Sequence, residues 1–364
     1  QLNAATFVVN TTQDAVDVNL ADGICATEIS GECSLRAAIQ QANELGGVDT
    51  VILPAGNYVL SGRANEDNAL SGDLDILENI VIEGESQLTT IIDAGARDRV
   101  FDVLNGAQIS ISKLTISNGL VKGHGGAIRI RNRTGQSMNP TVRLENVSIL
   151  NSAADGGNGG GIYVGNRVDL IMNNTNLQGN NAVAGGALYN NLGYTQINNS
   201  FVSNNSASRL GGGIVVYGGL YADNVSVLKN TSNGSGGGIV ARNNVNIKNS
   251  VLGGNVANGI STSTGFGGGM WLFDPGTVYL TNLVIENNRA KRNGGGVLLD
   301  NRLQKGRIVV NSIRVRYNQA SESGGGLQGH NIETIYHSRF VGNSSGLRAG
   351  GLMLTNTRRQ FQLM

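Results

Sequence analysis

The hydrophobic and polar positions of this chain follow a long repeat. Nine times, a segment that contains asparagine is followed by paired glycines and then by a large apolar residue. A repeat of this length is typical of solenoid proteins, in which each coil covers the apolar face of its neighbour. The apolar residues stand 25 to 34 residues apart and are Ile128, Ile162, Leu188, Ile214, Ile239, Met270, Val297, Leu327 and Leu352.

Within the repeats, short segments alternate between apolar and polar residues, for example Val245-Asn246-Ile247 and Val278-Tyr279-Leu280. Alternation of this kind predicts β-strands, and no helical pattern separates them. Short strands joined by Asn and Gly turns predict an all-β chain that forms a single parallel β-solenoid. A β-propeller would need repeats of about 40 to 45 residues, and a leucine-rich horseshoe would need more leucine, so neither fits.

One asparagine recurs at a similar place in every repeat. Stacked coils bring equivalent residues into axial columns, and stacked Asn side chains hydrogen-bond amide to amide. Asn also tolerates the left-handed backbone that a tight turn requires. We therefore predict an axial ladder that consists of Asn118, Asn151, Asn181, Asn205, Asn230, Asn255, Asn288, Asn318 and Asn343.

One segment differs from the repeats. Apolar residues follow helical spacing between Leu35 and Ala42, and Ser34 is suited to cap the N-terminus of a helix. A solenoid leaves an apolar end exposed, so a terminal cap is expected. We predict that residues 1–48 form an N-terminal cap, with a disulfide loop and a helix, and that residues 49–364 form roughly eleven to twelve coils.

The charge distribution excludes several classes of protein. Lys and Arg total 27 and Asp and Glu total 26, and no basic tract is typical of nucleic-acid binding. No apolar run approaches the roughly 18 residues that a membrane-spanning helix requires. The chain begins at Gln1 instead of Met, which favours a processed or excised segment, and whether it continues beyond Met364 stays open.

Two cysteines, Cys25 and Cys33, lie eight residues apart in a loop-like stretch. We favour a local disulfide, because loops permit its geometry and no other thiol competes, with two free thiols as the alternative. No His or third Cys stands nearby to complete a metal site. A disulfide indicates an oxidising compartment.

Stacking also predicts which outward residues become neighbours. One position after the apolar residue stand Tyr163, Tyr189 and Trp271, and Phe273 follows Trp271 by two. Aromatic rings on a flat β-face are suited to stack on sugar rings, which predicts a glycan-binding surface. The alternative interpretation is that these rings only cover the face of a sheet.

Three positions after the apolar residue, Asp300 and His330 fall on adjacent coils, and Arg242 belongs to the same column. A His–carboxylate pair beside an arginine can perform acid–base chemistry on a polyanionic sugar. A solvated surface pair is the alternative. Asp73 and Asp75 are candidate calcium ligands, and no other metal and no cofactor is predicted.

The N-terminal segment resembles a known family. Cys33-Ser34-Leu35-Arg36-Ala37-Ala38, followed by a first coil that begins Asp49-Thr50-Val51-Ile52-Leu53-Pro54, is similar to the CSLREA-type N-terminal domain of bacterial extracellular β-helix proteins, with Ala37 in place of the family's Glu. The repeats at 125–128 and 201–204 resemble those of chlamydial polymorphic outer membrane proteins. The resemblance implies a right-handed parallel β-helix, secreted or displayed on the outer surface of a bacterium, and it supplies no catalytic motif.

These observations predict an extracellular or cell-surface β-helix protein. We expect an adhesin or structural surface component that binds a glycan or a protein of a host or neighbouring cell. One alternative is a polysaccharide lyase or glycoside hydrolase that acts in a groove of the β-helix. Another is a filament subunit that associates head to tail, because uncovered strand edges invite pairing.

Overall fold

The computed structural model describes residues 4–62, 68–132, 140–303 and 306–355. Its helix, α1, spans Leu35–Glu44. The strands of the first part are β1 (Thr6–Val8), β2 (Asp49–Leu53), β3 (Gly56–Val59), β4 (Leu74–Ile76), β5 (Ile80–Gly84), β6 (Thr90–Asp93), β7 (Phe101–Val103), β8 (Ile109–Ser117), β9 (Leu120–Gly123), β10 (Ile128–Ile130), β11 (Thr141–Leu150), β12 (Ala153–Gly156) and β13 (Ile162–Val164).

The strands of the middle part are β14 (Asp169–Asn173), β15 (Asn176–Gln178), β16 (Asn181–Ala184), β17 (Leu188–Asn190), β18 (Thr195–Asn198), β19 (Phe201–Ser203), β20 (Ser206–Leu210), β21 (Ile214–Val216), β22 (Leu220–Asp223), β23 (Ser226–Leu228), β24 (Thr231–Ser232), β25 (Ile239–Lys248), β26 (Val251–Gly253) and β27 (Val256–Ala257). The strands of the last part are β28 (Met270–Thr281), β29 (Val284–Glu286), β30 (Arg289–Ala290), β31 (Val297–Asp300), β32 (Ile308–Asn311), β33 (Arg314–Arg316), β34 (Gln319–Ala320), β35 (Leu327–His330), β36 (Thr334–Tyr336), β37 (Arg339–Val341), β38 (Ser344–Ser345) and β39 (Leu352–Thr355).

Strands of successive coils pair in parallel along the axis. Thirty described strands join into one sheet, and nine short strands form a second sheet. The large sheet wraps around the axis as three rows of strands, and its first row consists of β4, β7, β10, β13, β17, β21, the first parts of β25 and β28, β31, β35 and β39. The predicted parallel β-solenoid is confirmed, and it has about ten turns, where roughly eleven to twelve coils were expected.

The core lies inside the solenoid, because alternate residues of each strand point inward. In β13, Ile162 and Val164 are fully buried in the core, while Tyr163 between them faces outward and is only partly buried. Inward residues of all three rows form one continuous apolar cluster along the axis. Burial of each such aliphatic side chain stabilises the fold by roughly 1.5–3 kcal/mol.

Helix α1 covers the N-terminal end of this core. Ser34 caps it by accepting a hydrogen bond from the backbone N–H of Ala37 at 3.0 Å. Leu35 and Ile39 join the core cluster of the first coils. The predicted disulfide between Cys25 and Cys33 is confirmed and closes the loop that precedes the helix.

The asparagine ladder is confirmed in the central and C-terminal coils. Asn205 donates its backbone N–H and one side-chain N–H to Oδ1 of Asn230, at 3.0 and 2.9 Å. The same pair of bonds recurs from coil to coil and links Asn180, Asn205, Asn230, Asn255, Asn288, Asn318 and Asn343. All of these positions except Asn180 were predicted.

Three predicted members lie one residue outside the ladder. Asn181 is exposed, and its neighbour Asn180 carries the ladder instead. Asn118 and Asn151 have positive φ angles of 57° and 52° and stand just before the column, where Ser152 donates its backbone N–H to Asn180. Asparagine serves two purposes at this corner, a left-handed backbone and a stacked amide, and the sequence does not distinguish them.

Over the described ranges, no helix is both long and apolar enough to cross a membrane.

Candidate functional site

The outward side chains of the first row stack in register along the solenoid axis. We call this column the axial strip, and from the N-terminal end it consists of Asp75, Asp102, Arg129, Tyr163, Tyr189, Val215, Val240, Trp271, Leu298, Gln328 and Met353. Its chemistry changes along the axis from acidic to basic, then aromatic, then largely apolar. The neighbour relations from Arg129 to Met353 agree with the sequence-based stacking.

Tyr163 and Tyr189, which we predicted to bind sugar, stack on each other. Their ring centroids lie 5.6 Å apart at an interplanar angle of 7°, and His124 stacks on Tyr163 at 4.4 Å. Tyr189 also packs with Val215 and Val240 in a small apolar cluster outside the main core. Burial raises the pKa of Tyr189 to about 12. One face of each tyrosine ring is therefore occupied by its neighbour.

Trp271 and Phe273 form a second aromatic group further along the first row of strands. Their ring centroids lie 5.1 Å apart, and Phe266 lies 5.8 Å from Trp271 on the other side. Tyr217 meets Phe273 edge to face at 5.8 Å, and the guanidinium carbon of Arg242 lies 5.7 Å from the Phe273 ring centroid. Trp271 and Phe273 are both half-buried, so each ring keeps accessible surface.

The structure brings Asp300 and His330 together. The His330 Nδ1 atom lies 3.7 Å from Oδ1 of Asp300, beyond the length of a direct hydrogen bond. Arg302 donates Nε–H and Nη2–H to the two oxygens of the same carboxylate, at 2.7 and 3.0 Å. The principal partner of Asp300 is therefore an arginine that the sequence-based hypothesis did not include.

Arg242 does not join this pair. Phe273 pairs directly with Asp300 in the sheet, so the coil that carries Phe273 lies between Arg242 and Asp300. The Nη2 atom of Arg242 instead lies 3.6 Å from a carboxylate oxygen of Asp274. The three proposed acid–base residues thus form two separate ion-pair groups on either side of Phe273.

A buried cluster of carboxylates and arginines occupies the N-terminal end of the strip. Asp102 is fully buried and accepts hydrogen bonds from the Nε and Nη2 groups of Arg129 and, at 2.7 Å, from Arg131. The Nη1 group of Arg99 donates to Asp73 at 2.5 Å. Burial raises the pKa of Asp73 to about 7, against the opposing effect of the Arg99 charge.

Calcium was considered for this cluster because Asp73 and Asp75 lie there. Oxygens of Asp73, Asp75 and Asp102 lie within 4.8 Å of one another, and all three residues are buried. Calcium takes six to eight oxygen ligands. Here Arg99 and Arg129 already neutralise two of the carboxylates, so a calcium ion would have to displace guanidinium contacts. The donor set fits an internal ion-pair network.

Sequence reasoning missed the roles of Arg99 and Asp102. The coils that carry Leu74 and Phe101 lack the paired glycines, so the repeat signature begins only near Ile128. Extending the column backward by one coil would have placed Asp102 beside Arg129, as the register shows.

No family model and no curated protein sequence matches the chain. Among solved structures, the chain is similar to the A-module of the Azotobacter vinelandii mannuronan C-5 epimerase AlgE6, with 16% identity over 90% of this chain and 93% of that chain and a TM-score of 0.44. The AlgE4 A-module from the same organism has 14% identity, coverages of 88% and 94% and a TM-score of 0.44. A mannuronic acid specific polysaccharide family 6 lyase from human gut microbiota has 13% identity, coverages of 88% and 81% and a TM-score of 0.42. A likeness of this degree gives no argument about activity or substrate.

Proposed function

We propose that this protein is an extracellular glycan-binding β-solenoid protein and that it binds an extended polysaccharide on the outer side of the first row of strands, beside the axial strip and centred on Trp271 and Phe273. The observation that carries this proposal is the pair of partly buried rings 5.1 Å apart, with Tyr217 and Arg242 packed beside Phe273. Large amphipathic rings supply apolar contact area, while nearby polar groups fix orientation.

The polar groups beside these rings suit a hydroxyl-rich ligand. Arg242 and Asp274 lie on one side of Phe273, and Asp300 with Arg302 lies on the other. Guanidinium groups donate and carboxylates accept hydrogen bonds, so both functions of a sugar hydroxyl find partners. The Tyr163–Tyr189 stack supports the same face, but its rings are already packed on each other.

Binding is testable by affinity electrophoresis of the purified protein in gels that contain single polysaccharides, both neutral and uronic acid-containing. We expect Trp271→Ala and Phe273→Ala to weaken the binding of the retained polysaccharide by about tenfold each. Phe201→Ala is the matched control, because Phe201 is 56% exposed on β19, which pairs with β15 and β23 in a different row of strands. Equal effects of Trp271→Ala and Phe201→Ala, or no retention by any polysaccharide, would overturn the proposal.

An extracellular location is supported by the disulfide between Cys25 and Cys33, since disulfides persist in oxidising compartments. An adhesin role would follow if the bound glycan belongs to another cell. Protease treatment of intact source cells, followed by immunoblotting, tests surface display. Protection of the protein until the cells are lysed would argue against it.

A second candidate function is a polysaccharide lyase or glycoside hydrolase. The observation that favours it is the position of His330 and Asp300 beside the Trp271–Phe273 group. A histidine beside a carboxylate is suited to proton transfer. The bound polysaccharide should be incubated with the protein and assayed for unsaturated and reducing ends. Turnover that Asp300→Asn and His330→Gln leave unchanged would exclude these residues.

A further inference from the structure

A different group of tyrosines lies on the second row of strands. Outward residues of β18, β22, β25 and β28 pair in register there, in the order Gln196, Tyr221, Asn246 and Tyr279. Because consecutive coils are about 4.8 Å apart, Tyr221 and Tyr279 lie roughly 10 Å apart with Asn246 between them.

A third ring, Tyr194, completes the rim of this surface. Tyr194 lies over the backbone at Gly219, where a Cβ atom would come within 2.9 Å of the Cδ2 atom of the ring. The glycine therefore permits the position of the ring. The three tyrosines, with Asn244 and Thr277 among the other lining residues, surround a depression of about 310 Å³.

These rings are more available than those of the axial strip. Tyr194 is 43% exposed and Tyr279 is 39% exposed, and in the described part of the chain neither ring stacks on another aromatic ring. The Lys248 ammonium lies over the ring of Tyr221, 5.5 Å from its centroid. Lys248 in turn pairs with Asp223 at 3.1 Å, so the neighbouring charges cancel.

The polar groups in the depression have spare hydrogen-bonding capacity. Among the described residues, no hydrogen bond engages the side-chain amide of Asn246 or the hydroxyls of Tyr194 and Tyr279. Asn244 accepts the backbone N–H of Thr277 at 2.9 Å, which holds the rim in place. None of the described residues that line the depression is charged. Such a lining suits an uncharged ligand with several hydroxyls and an apolar face.

We propose that this depression is a second carbohydrate site, which takes one pyranose ring of a neutral hexose. The ring stacks on Tyr279 or Tyr194, and its hydroxyls hydrogen-bond to the Asn246 amide. The site lies on a different row of strands from the axial strip, so it can be present or absent whatever the outcome for the proposed function.

Saturation-transfer difference NMR tests this proposal with the methyl glycosides of glucose, galactose and mannose as probes. The titration extends to about 50 mM, which covers the millimolar Kd expected of a single small subsite. At least one probe should show saturable transfer to wild-type protein. Tyr279→Ala and Asn246→Asp should each weaken it about fivefold or more, while Phe201→Ala leaves it unchanged.

The outcomes are distinct. Absence of saturable transfer from all three probes, or wild-type affinity in both Tyr279→Ala and Asn246→Asp, overturns the second site. Loss of hexoside binding in Trp271→Ala with retention in Tyr279→Ala also overturns it, because the hexosides would then bind the axial strip. Circular dichroism checks that each variant is folded. If Tyr279→Ala does not fold, the near-isosteric Asn246→Asp variant still tests the site.

Discussion

A single ladder asparagine satisfies several backbone and side-chain partners at once. Asn230 accepts two N–H groups from Asn205 and donates two of its own to Oδ1 of Asn255. Its remaining side-chain N–H donates to the carbonyl of Val202 at 2.9 Å. An aspartate would lack the donors, and an aliphatic residue would leave buried groups unpaired, so only an amide of this length fits.

We therefore predict that Asn230→Ala lowers the free energy of unfolding by about 3 kcal/mol or more, because it orphans buried donors on Asn205 and the carbonyl of Val202. Urea denaturation followed by circular dichroism measures the change. Asn258→Ala is the control, since Asn258 is exposed and makes one long bond to Asn233, at 3.2 Å. We expect it to cost less than about 0.5 kcal/mol. Similar losses in both variants would contradict the importance of the ladder.

The buried carboxyl of Asp73 predicts a specific pH dependence. Its pKa is raised by burial from 3.8 to about 7, so the folded state holds the proton more tightly than the unfolded state. This contribution to stability is complete below about pH 4 and is lost as the pH rises through 7.

Unfolding free energies measured between pH 4 and pH 8 test this directly. Between pH 4 and pH 8, the free energy of unfolding of the wild type should fall by up to about 4 kcal/mol more than that of Asp73→Asn. Asp155→Asn, at an exposed position, should follow the wild-type profile. If the unfolding free energy of Asp73→Asn changes with pH in parallel with that of the wild type, Asp73 remains ionised beside Arg99.

At the residue scale, the sequence predicted stacking relations better than interactions. The column from Arg129 to Met353 followed from counting alone, because the repeat keeps equivalent residues in register. The partner of Asp300 was not predictable, because Arg302 reaches it from a turn after the strand. Ring orientation was also beyond the sequence: Tyr163 and Trp271 occupy equivalent positions, yet only Tyr163 forms a parallel ring stack.

At the scale of the element, the paired glycines explain the sequence signature. A Cβ atom on Gly212 would collide with the carbonyl oxygen of Gly237 and with the backbone of Thr231 on the next coil. Backbones of consecutive coils approach so closely here that no side chain fits. The segment forms inter-coil hydrogen bonds, such as Gly212 N–H to the Gly236 carbonyl at 3.0 Å.

Gly212→Ala should therefore destabilise the solenoid by several kcal/mol, roughly 3 or more, because two backbones must move apart. Gly351→Ala is a suitable comparison in the last described coil, where an added Cβ would meet only the Cβ of Phe340, at 3.6 Å. Thermal unfolding of both variants supplies the measurement. A Gly212→Ala protein as stable as Gly351→Ala would show that the coils tolerate local separation.

The elements from Ile128 onward were predictable because glycine, asparagine and alternating residues recur together. The earlier coils were less visible. Their first-row strands begin at Leu74 and Phe101 without the glycine pair, and buried Asp73, Arg99 and Asp102 replace the usual contacts around them. This ion-pair network forms only because strands of successive coils pair in register, so no short sequence motif predicts it.

At the scale of the whole molecule, the capped end and the repeating coils create a long, regular surface. The groups that surround Phe273 on the first row extend from Tyr217 to His330, which spans four coil spacings or roughly 20 Å. A polymer aligned with the axis meets these groups successively. Head-to-tail association stays a prediction, since residues 356–364 lie outside the described part of the chain.

We predict that affinity for oligosaccharides of the retained polysaccharide increases with chain length until the ligand spans roughly 20 Å, and then levels off. Isothermal titration calorimetry with size-fractionated oligosaccharides measures this relation. Trp271→Ala should weaken the longer ligands more than a disaccharide. Affinity that is already maximal for a disaccharide would indicate a single compact site instead.

The stacking of the ladder, with one asparagine in each coil, also makes the length of this protein adjustable. Asn205 and Asn230 occupy equivalent corners 25 residues apart, so excision of residues 206–230 would join Asn205 to Thr231 without altering the corner. Every column of outward side chains would then lose one residue. In the axial strip that residue is Val215, so Tyr189 would pack beside Val240. Deletion of whole coils should therefore shorten the solenoid in fixed steps while its cross-section stays the same.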